Sequence, residues 1–306
     1  MAEVTITSAS DSLFGTQSDD VFRVRATSDS IVTTSSFVGG DGLDKIELET
    51  SDSAISRPWG NQTTYVFGEL ISIEALQFKT NYGQNIDFRV SISSSLNGVS
   101  VTGSTGYDRL IVDAKAGGDY VIPDFVLQNW GPSVGTGGYI DRVALLAAGT
   151  DNYVLRTNSG LVSYQELFGG SGNDQLIGNV GDSGLLGGAG NDQIFGYGGR
   201  DFLEGGVGND LLSGGAGADT FFFDNRISTG VDRITDLDKN DVIITTRPLY
   251  DRNNDGIVTF GSNRALDFSE TDKLFITDNN GKSVQALEFD GVLQNADGTY
   301  FYMYSI

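Results

Sequence analysis

Two hydrophobic periods run along this chain. The first is a period of two. ThrTyrValPheGly around Tyr65, IleSerIleGluAlaLeuGlnPhe from Ile71 to Phe78, and AspPheArgValSerIle from Asp87 to Ile92 alternate apolar and polar side chains. β-branched and aromatic residues dominate them, so they read as half-buried strands. The second is a period of nine. Leu176, Leu185, Ile194, Leu203, Leu212 and Phe221 are large and apolar, each nine residues after the last. No segment holds a convincing helical period; Ser163 to Phe168 is the best short candidate, as a helical cap. Past the nine-residue array, LysLeuPheIleThr, AlaLeuGluPheAsp and ThrTyrPheTyrMetTyr predict three strands, with turns at Asn280-Gly281 and Asp297-Gly298.

The nine-residue array spans Gly169 to Phe222 as six units: GGSGNDQLI, GNVGDSGLL, GGAGNDQIF, GYGGRDFLE, GGVGNDLLS and GGAGADTFF. The first and fourth places are glycine in all six. The sixth place is Asp174, Ser183, Asp192, Asp201, Asp210 and Asp219. The glycines allow a tight turn that presents carbonyl oxygens, and the aspartate adds a carboxylate. Hard oxygen donors of this kind suit calcium, which takes six to eight of them. The last three residues of each unit are extended, with the eighth side chain inward. Two units then make one coil of about 18 residues, the period this repeat class implies. One side stacks Asp174, Asp192 and Asp210; the other stacks Ser183, Asp201 and Asp219. Three calcium sites are expected, between Asp174 and Asp192, Asp192 and Asp210, and Asp201 and Asp219. A fourth, between Ser183 and Asp201, loses a carboxylate and is expected to be weak or rearranged, with Asp182, one position early, as a candidate substitute. The expected donors are the carbonyls of Gly170, Gly172, Gly188, Gly190, Gly199, Gly206, Gly208, Gly215 and Gly217, with the aspartates.

This array resembles the RTX family, whose nonapeptide has the form GGxGxDxUx. The resemblance covers 54 of 306 residues. It implies a calcium-filled parallel β-roll and export through a type I channel on an uncleaved carboxy-terminal signal. The apolar tail GTYFYMYSI is compatible with such a signal. The opening MAEVTITSASDS has neither a basic region nor an apolar run, so no amino-terminal signal peptide is expected. Extracellular or cell-surface placement follows, because calcium sites of this type bind at roughly 10⁻⁴ to 10⁻³ M.

The repeat pattern recurs singly at Gly15 to Arg23, Gly39 to Glu47 and Gly103 to Ile111, with Asp20, Asp44 and Asp108 in the sixth place. Standing apart, these read as isolated repeats, not stacks, open to calcium or to ordinary glycine-aspartate turns. A second calcium motif lies at DRNNDGIV. Asp251, Asn253 and Asp255 hold loop positions one, three and five, Gly256 turns at six, and Ile257 lends its carbonyl at seven. It resembles a DxDxDG loop, closed by Asp267 or Glu270. Ser262 replaces the usual glutamate, and no helices flank it. The acids Asp232, Asp236, Asp238 and Asp241 read as a solvated edge rather than as ligands.

The fold expected is therefore all-β: a parallel β-solenoid, or a β-sandwich, over 1–168, the β-roll over 169–222, and a small β-rich capping and secretion domain over 223–306. The chain has no cysteine and no histidine, which excludes disulfides, HExxH zinc proteases and histidine-based triads. With 19 Lys and Arg against 41 Asp and Glu, its net charge of −22 disfavours nucleic acid and anionic membranes. No apolar run is long enough to span a membrane. A calcium-binding structural or surface protein is expected, not an enzyme, with cell-surface polysaccharide or its own copies as partners. The alternative is a calcium-dependent polysaccharide lyase or carbohydrate-binding exoprotein, the lyase drawing on Arg89, Arg109, Lys115, Arg142, Asp87, Asp108, Asp113 and Asp141. A pore-forming effector is third. Trp59 and Trp130 read equally as sugar platforms or as loop packing.

Overall fold

A computed structural model describes residues 3–6, 13–26, 31–50, 62–71, 73–79, 85–91, 96–102, 108–114, 117–128, 142–147, 150–158, 164–249, 256–260, 265–267, 272–295 and 297–306. Its elements are strands throughout, with no α-helix among the described residues. The chain divides into two compact units. The first holds 1–115, 122–146 and 160–164; the second holds 116–121, 147–159 and 165–306.

In the first unit the chain alternates between two parallel sheets. One sheet orders Glu3–Ile6, Val21–Ala26, Lys45–Thr50, Ala75–Lys79, Ser100–Thr102 and Val126–Gln128. The other receives the strands between them: Leu13–Phe14, Ile31–Val38, Gln62–Ile71, Asn85–Ser91, Asp108–Ala114 and Arg142–Ala147. Every pairing given for these strands is parallel and joins one coil to the next. This is a β-solenoid, and it removes the sandwich alternative, whose sheets are antiparallel. Strand alternation puts every second side chain inward, so Phe22, Ile46, Leu76 and Val101 stand in register as one buried column. The coils are unequal. Glu3 pairs with Val21, Val21 with Lys45, Lys45 with Ala75, and Ile31 with Thr64, steps of 18 to 33 residues.

The second unit repeats this architecture, and within the nine-residue array its coil length is constant at 18 residues. Tyr164–Ser171, Ser183–Ala189, Phe202–Val207, Thr220–Phe223 and Val242–Thr245 form one parallel sheet. Gly118–Val121, Tyr153–Arg156, Gln175–Ile177, Gln193–Phe195, Leu211–Ser213, Val231–Leu237 and Lys273–Asp278 form the other. Leu167, Leu185, Leu203 and Phe221 align at steps of 18 residues, as do Leu176, Ile194 and Leu212. All seven are 0% exposed, as the nine-residue period requires. Of the segment read as a helical cap, Ser163 lies outside the described residues and 164–168 is not helical. Tyr164–Ser171 is a strand, because Leu167 belongs to this buried column and a helix would break its register.

Beyond Phe222 the columns continue. Phe221 pairs with Ile243 and Leu212 with Ile234, at steps of 22. Stacking ends where pairing turns antiparallel. Tyr300–Ser305 runs against Val242–Thr245, Ala286–Gln294 against Tyr300–Ser305, and Ile257–Thr259 against Ala286–Gln294. On the other sheet Ala265–Asp267 runs against Lys273–Asp278. A solenoid end otherwise offers unpaired amides as a template for association, so these strands serve as its cover. The Asp297-Gly298 turn closes the expected hairpin, with Gly298 at φ 88°. At Asn280-Gly281 the hairpin is a single bridge, Thr277 to Ser283, before the chain crosses to the other sheet.

Candidate metal centre

Each roll aspartate sits where the glycine turn enters a strand, and Asp174, Asp192, Asp201, Asp210 and Asp219 are all buried. Backbone amides hold one oxygen of each. Asp192 Oδ1 accepts from Asp174 N–H, Asp210 Oδ1 from Asp192 N–H, and Asp219 Oδ1 from Asp201 N–H, at 2.8 to 2.9 Å. Tyr153 N–H and Ser183 N–H donate in the same way to Asp174 and Asp201. Every carboxylate thus fastens the coil before it.

A second ladder runs the opposite way, one place earlier in the repeat. Asn173 Oδ1 accepts from Asn191 N–H and Asn191 Oδ1 from Asn209 N–H. On the other side of the roll Asp182 Oδ1 accepts from Arg200 N–H. Asp182 therefore does the work of an asparagine on the surface. It does not replace the missing carboxylate at Ser183.

The other oxygen of each roll aspartate carries the chemistry. Oδ2 of Asp174, Asp192, Asp201, Asp210 and Asp219 is buried with no hydrogen-bond partner. It folds over the first glycine of its own repeat, where a Cβ on Gly187, Gly196, Gly205 or Gly214 would strike it. Backbone oxygens crowd the same turns. The carbonyls of Gly170, Gly172, Gly188 and Gly190 each press on the glycine one coil on, leaving no room for a side chain. Gly188 and Gly190, at φ 107° and 129°, could not carry one without strain in any case. Among the described residues no three acidic, histidine or cysteine side chains converge as a metal cluster. A cation here must take most of its ligands from carbonyls, with carboxylates supplying the charge. A hard, high-coordination cation fits that donor set.

Burial sets the electrostatics. It pushes the carboxyl of Asp192 up to about 7, with Asp210 and Asp174 adding repulsion against the pull of the Asp174 amide. It pushes Asp201 to about 8, helped by Asp219, and Asp210 to about 6. Asp174 and Asp219 move in the same direction for the same reason. Between Gly169 and Phe222 there is one cation, Arg200, against seven acids. The charge that these oxygens need is not supplied by the chain.

Two acids expected at a solvated edge belong to the ladder instead. Asp232 and Asp241 are 1% and 2% exposed, and their Oδ1 atoms accept from Asp210 N–H and Asp219 N–H. Burial raises them to about 8 and about 6. The spacing hid them, because 22 residues separate them from their partners where the array uses 18. Asp236 caps the turn above it, accepting from Gly214 N–H, Gly215 N–H and the Ser213 hydroxyl.

In the second motif, Asp251, Asn253 and Asp255 lie outside the described residues. Gly256 has φ 84°, its carbonyl accepts from Phe289 N–H, and the exposed Ile257 opens a strand whose Val258 is buried. Of the groups considered for a lyase, Arg89 pairs with Asp113 at 2.6 Å and Arg142 lies over the Tyr164 ring. Arg109 is half-buried on its strand beside these. Lys115, Asp141, Trp59, Trp130 and the side chains of Asp87 and Asp108 lie outside the described residues.

No curated protein matches this chain. Residues 166–194 and 186–221 match the family model of the RTX calcium-binding nonapeptide repeat, in four copies. The buried, unpartnered carboxylate oxygens and the crowded carbonyl turns lie in that segment, and residues 166–221 are accordingly an array of RTX repeats, which bind Ca²⁺.

Proposed function

We propose that this protein is a secreted, non-catalytic component of a cell surface or extracellular matrix, and that its roll completes folding on calcium outside the cell. The supporting observation is the column of buried carboxylates with one unpartnered oxygen each. At neutral pH such a column either retains protons it would lose in water or opposes its own burial. The positive charge that the chain lacks would come from calcium, coordinated by the chain's own carboxylate and carbonyl oxygens. The turns hold their carbonyls in place, the glycines let adjacent coils approach, and the Asp and Asn ladders fix the register. Binding confined to the folded turns stabilises them by about 2.7 kcal/mol per site at a hundredfold excess over the dissociation constant. At low intracellular calcium the same turns lack that contribution, which keeps the chain suited to export in an unfolded state.

The surface role is tested by fractionating producing cells. Most of the protein should be outside or on the cell, released from the surface by a chelator and returned by calcium. Retention in the cytoplasm, or attachment indifferent to calcium, contradicts it. Sedimentation with and without calcium separates self-assembly from attachment to polysaccharide. Calcium-dependent depolymerisation of a uronic-acid polymer would replace the structural reading with the lyase.

A further inference from the structure

The turns at 15–20 and 39–44, isolated in the sequence, are stacked in the fold. Val21 pairs with Lys45, and Lys45 N–H donates to Asp20 O at 2.9 Å, as Gln193 N–H donates to Asp174 O at 2.8 Å in the roll. The acidic link is the same too. Asp20 N–H donates to Asp44 Oδ1 at 2.8 Å, the distance from Asp174 N–H to Asp192 Oδ1.

The backbone cradle is also reproduced. Gly15 lies against the carbonyl of Gly39, as Gly169 lies against that of Gly187. Gly40, at φ 109°, lies against the carbonyl of Thr16, as Gly188, at φ 107°, lies against that of Gly170. The observation that points to a ligand is Asp44. It is 1% exposed, and its Oδ2 is buried with no hydrogen-bond partner, the condition of every roll aspartate. Among the described side chains, Arg23, Lys45 and Lys79 converge on Glu47 instead.

We propose that the amino-terminal solenoid carries a calcium site of its own, between the turns at 15–20 and 39–44, with the unpartnered Asp44 as its first acidic ligand and Asp20, whose Oδ2 also accepts from the Thr16 amide and hydroxyl, as its second. All-oxygen donors in a chain without histidine or cysteine select a hard cation. The stack stops at two turns. Asp44 N–H is taken by Glu74 Oε2 at 2.7 Å, from a coil whose entry, Ile71 to Ile73, has no glycine to bring carbonyls close. One ion is the expected load. The site lies outside the matched repeats and rests on register and burial, so it stands or falls separately from the surface role.

Equilibrium dialysis of the full chain against calcium, with bound metal counted per chain, tests it. Asp44→Asn keeps the side-chain shape and an oxygen to accept the Asp20 amide. It should bind one ion fewer than wild type, and Asp20→Asn, which guards against a folding defect in the first variant, should do the same. The wild-type chain gives a reading that needs no substitution: amide exchange over 21–26 and 45–50 should slow at least tenfold when calcium is added. In Asp44→Asn that slowing should vanish there and persist over 175–177, 193–195 and 211–213. An unchanged ion count, the loss of more than one ion, or wild-type exchange over 21–26 and 45–50 indifferent to calcium overturns the proposal.

Discussion

The two units solve one problem in different ways. Both wind the chain through paired parallel sheets around columns of buried aliphatic and aromatic side chains. In the first, coils differ by as much as fifteen residues, from 18 to 33, and acids on the strands meet side-chain cations. Glu47 is the example: Arg23, Lys45 and Lys79 reach it at 2.9, 2.6 and 2.6 Å. In the second, coils hold to 18 residues through the array and the buried aspartates at the turns meet backbone amides, with no side-chain cation paired to them among the described residues. An ion-pair partner can arrive from any neighbouring strand, so loop length is free to vary. A ligand shell built from carbonyls leaves no such freedom, because one added residue moves every oxygen in the turn. Constant turn length is the mark of a backbone-built site.

Chelation should separate the units most sharply. Three roll ions at a hundredfold excess contribute about 8 kcal/mol, comparable with the whole stability of an ordinary domain. Removing calcium should abolish amide protection over 175–177, 193–195 and 211–213 and leave 62–71 and 85–91 protected. Equal loss in both units would make the whole chain one calcium-dependent body.

Substitutions within the ladder come next. Asp192→Ala and Asp210→Ala each remove a carboxylate bordered by roll turns on both sides and strand a buried amide, which alone costs about 1–3 kcal/mol. Asp174→Ala removes one with a roll aspartate on one side. The calcium midpoint for folding should rise further for the first two than for the third, and equal shifts would contradict stacking.

Acid should act on the units in opposite senses. Burial opposes ionisation of Glu47, but hydrogen bonds from Lys45, Lys79 and Arg23 outweigh it and hold the carboxyl down at about 2. Its contribution is complete above the unfolded value of 4.5 and lost as pH falls from there toward 2. Glu47→Gln should cost about 2 kcal/mol at neutral pH, below the roughly 3–5 of a fully buried pair, because its cations are a third exposed. The roll carboxyls are raised, so the calcium-free folded roll binds more protons than the unfolded chain. Its stability should rise as pH falls from about 8 toward 3.8. Exchange measured across pH in chelator should show the two trends crossing.

The smallest effect belongs to Arg200. Its pair with Asp182, at 3.2 Å, is exposed on both sides. Arg200→Ala should change stability by about 0.5 kcal/mol or less. A larger loss would mean that Arg200 neutralises the roll acids.

The roll was legible in the sequence because one period fixes everything in it. The eighth residue is core, the sixth is the acid, and the stack partner is two repeats away. Legibility failed where a partner lay at another distance. Asp232 and Asp241 stand 22 residues from Asp210 and Asp219, and Asp44 stands 24 from Asp20, so no fixed step links them. The asparagine ladder was missed for a different reason. Its donors and acceptors are exposed polar residues whose composition matches any loop. Segment 163–168 misled because its apolar spacing over six residues fits a helix and a strand alike, and the Leu185 column beside it decided the outcome.

The roll also has a parity. Each coil takes two repeats, one for each sheet, and six repeats return the chain to the sheet from which it set out: Tyr164–Ser171 and Thr220–Phe223 lie in the same one. Deleting or duplicating 18 residues would leave every amide facing an acceptor of the same kind. Deleting the nine residues 196–204 would send Thr220–Phe223 and all that follows to the opposite sheet, and would set Asn209 N–H against Asp182 instead of Asn191. An array of this design keeps its asparagine ladder on one side only when it lengthens or shortens by even numbers of repeats.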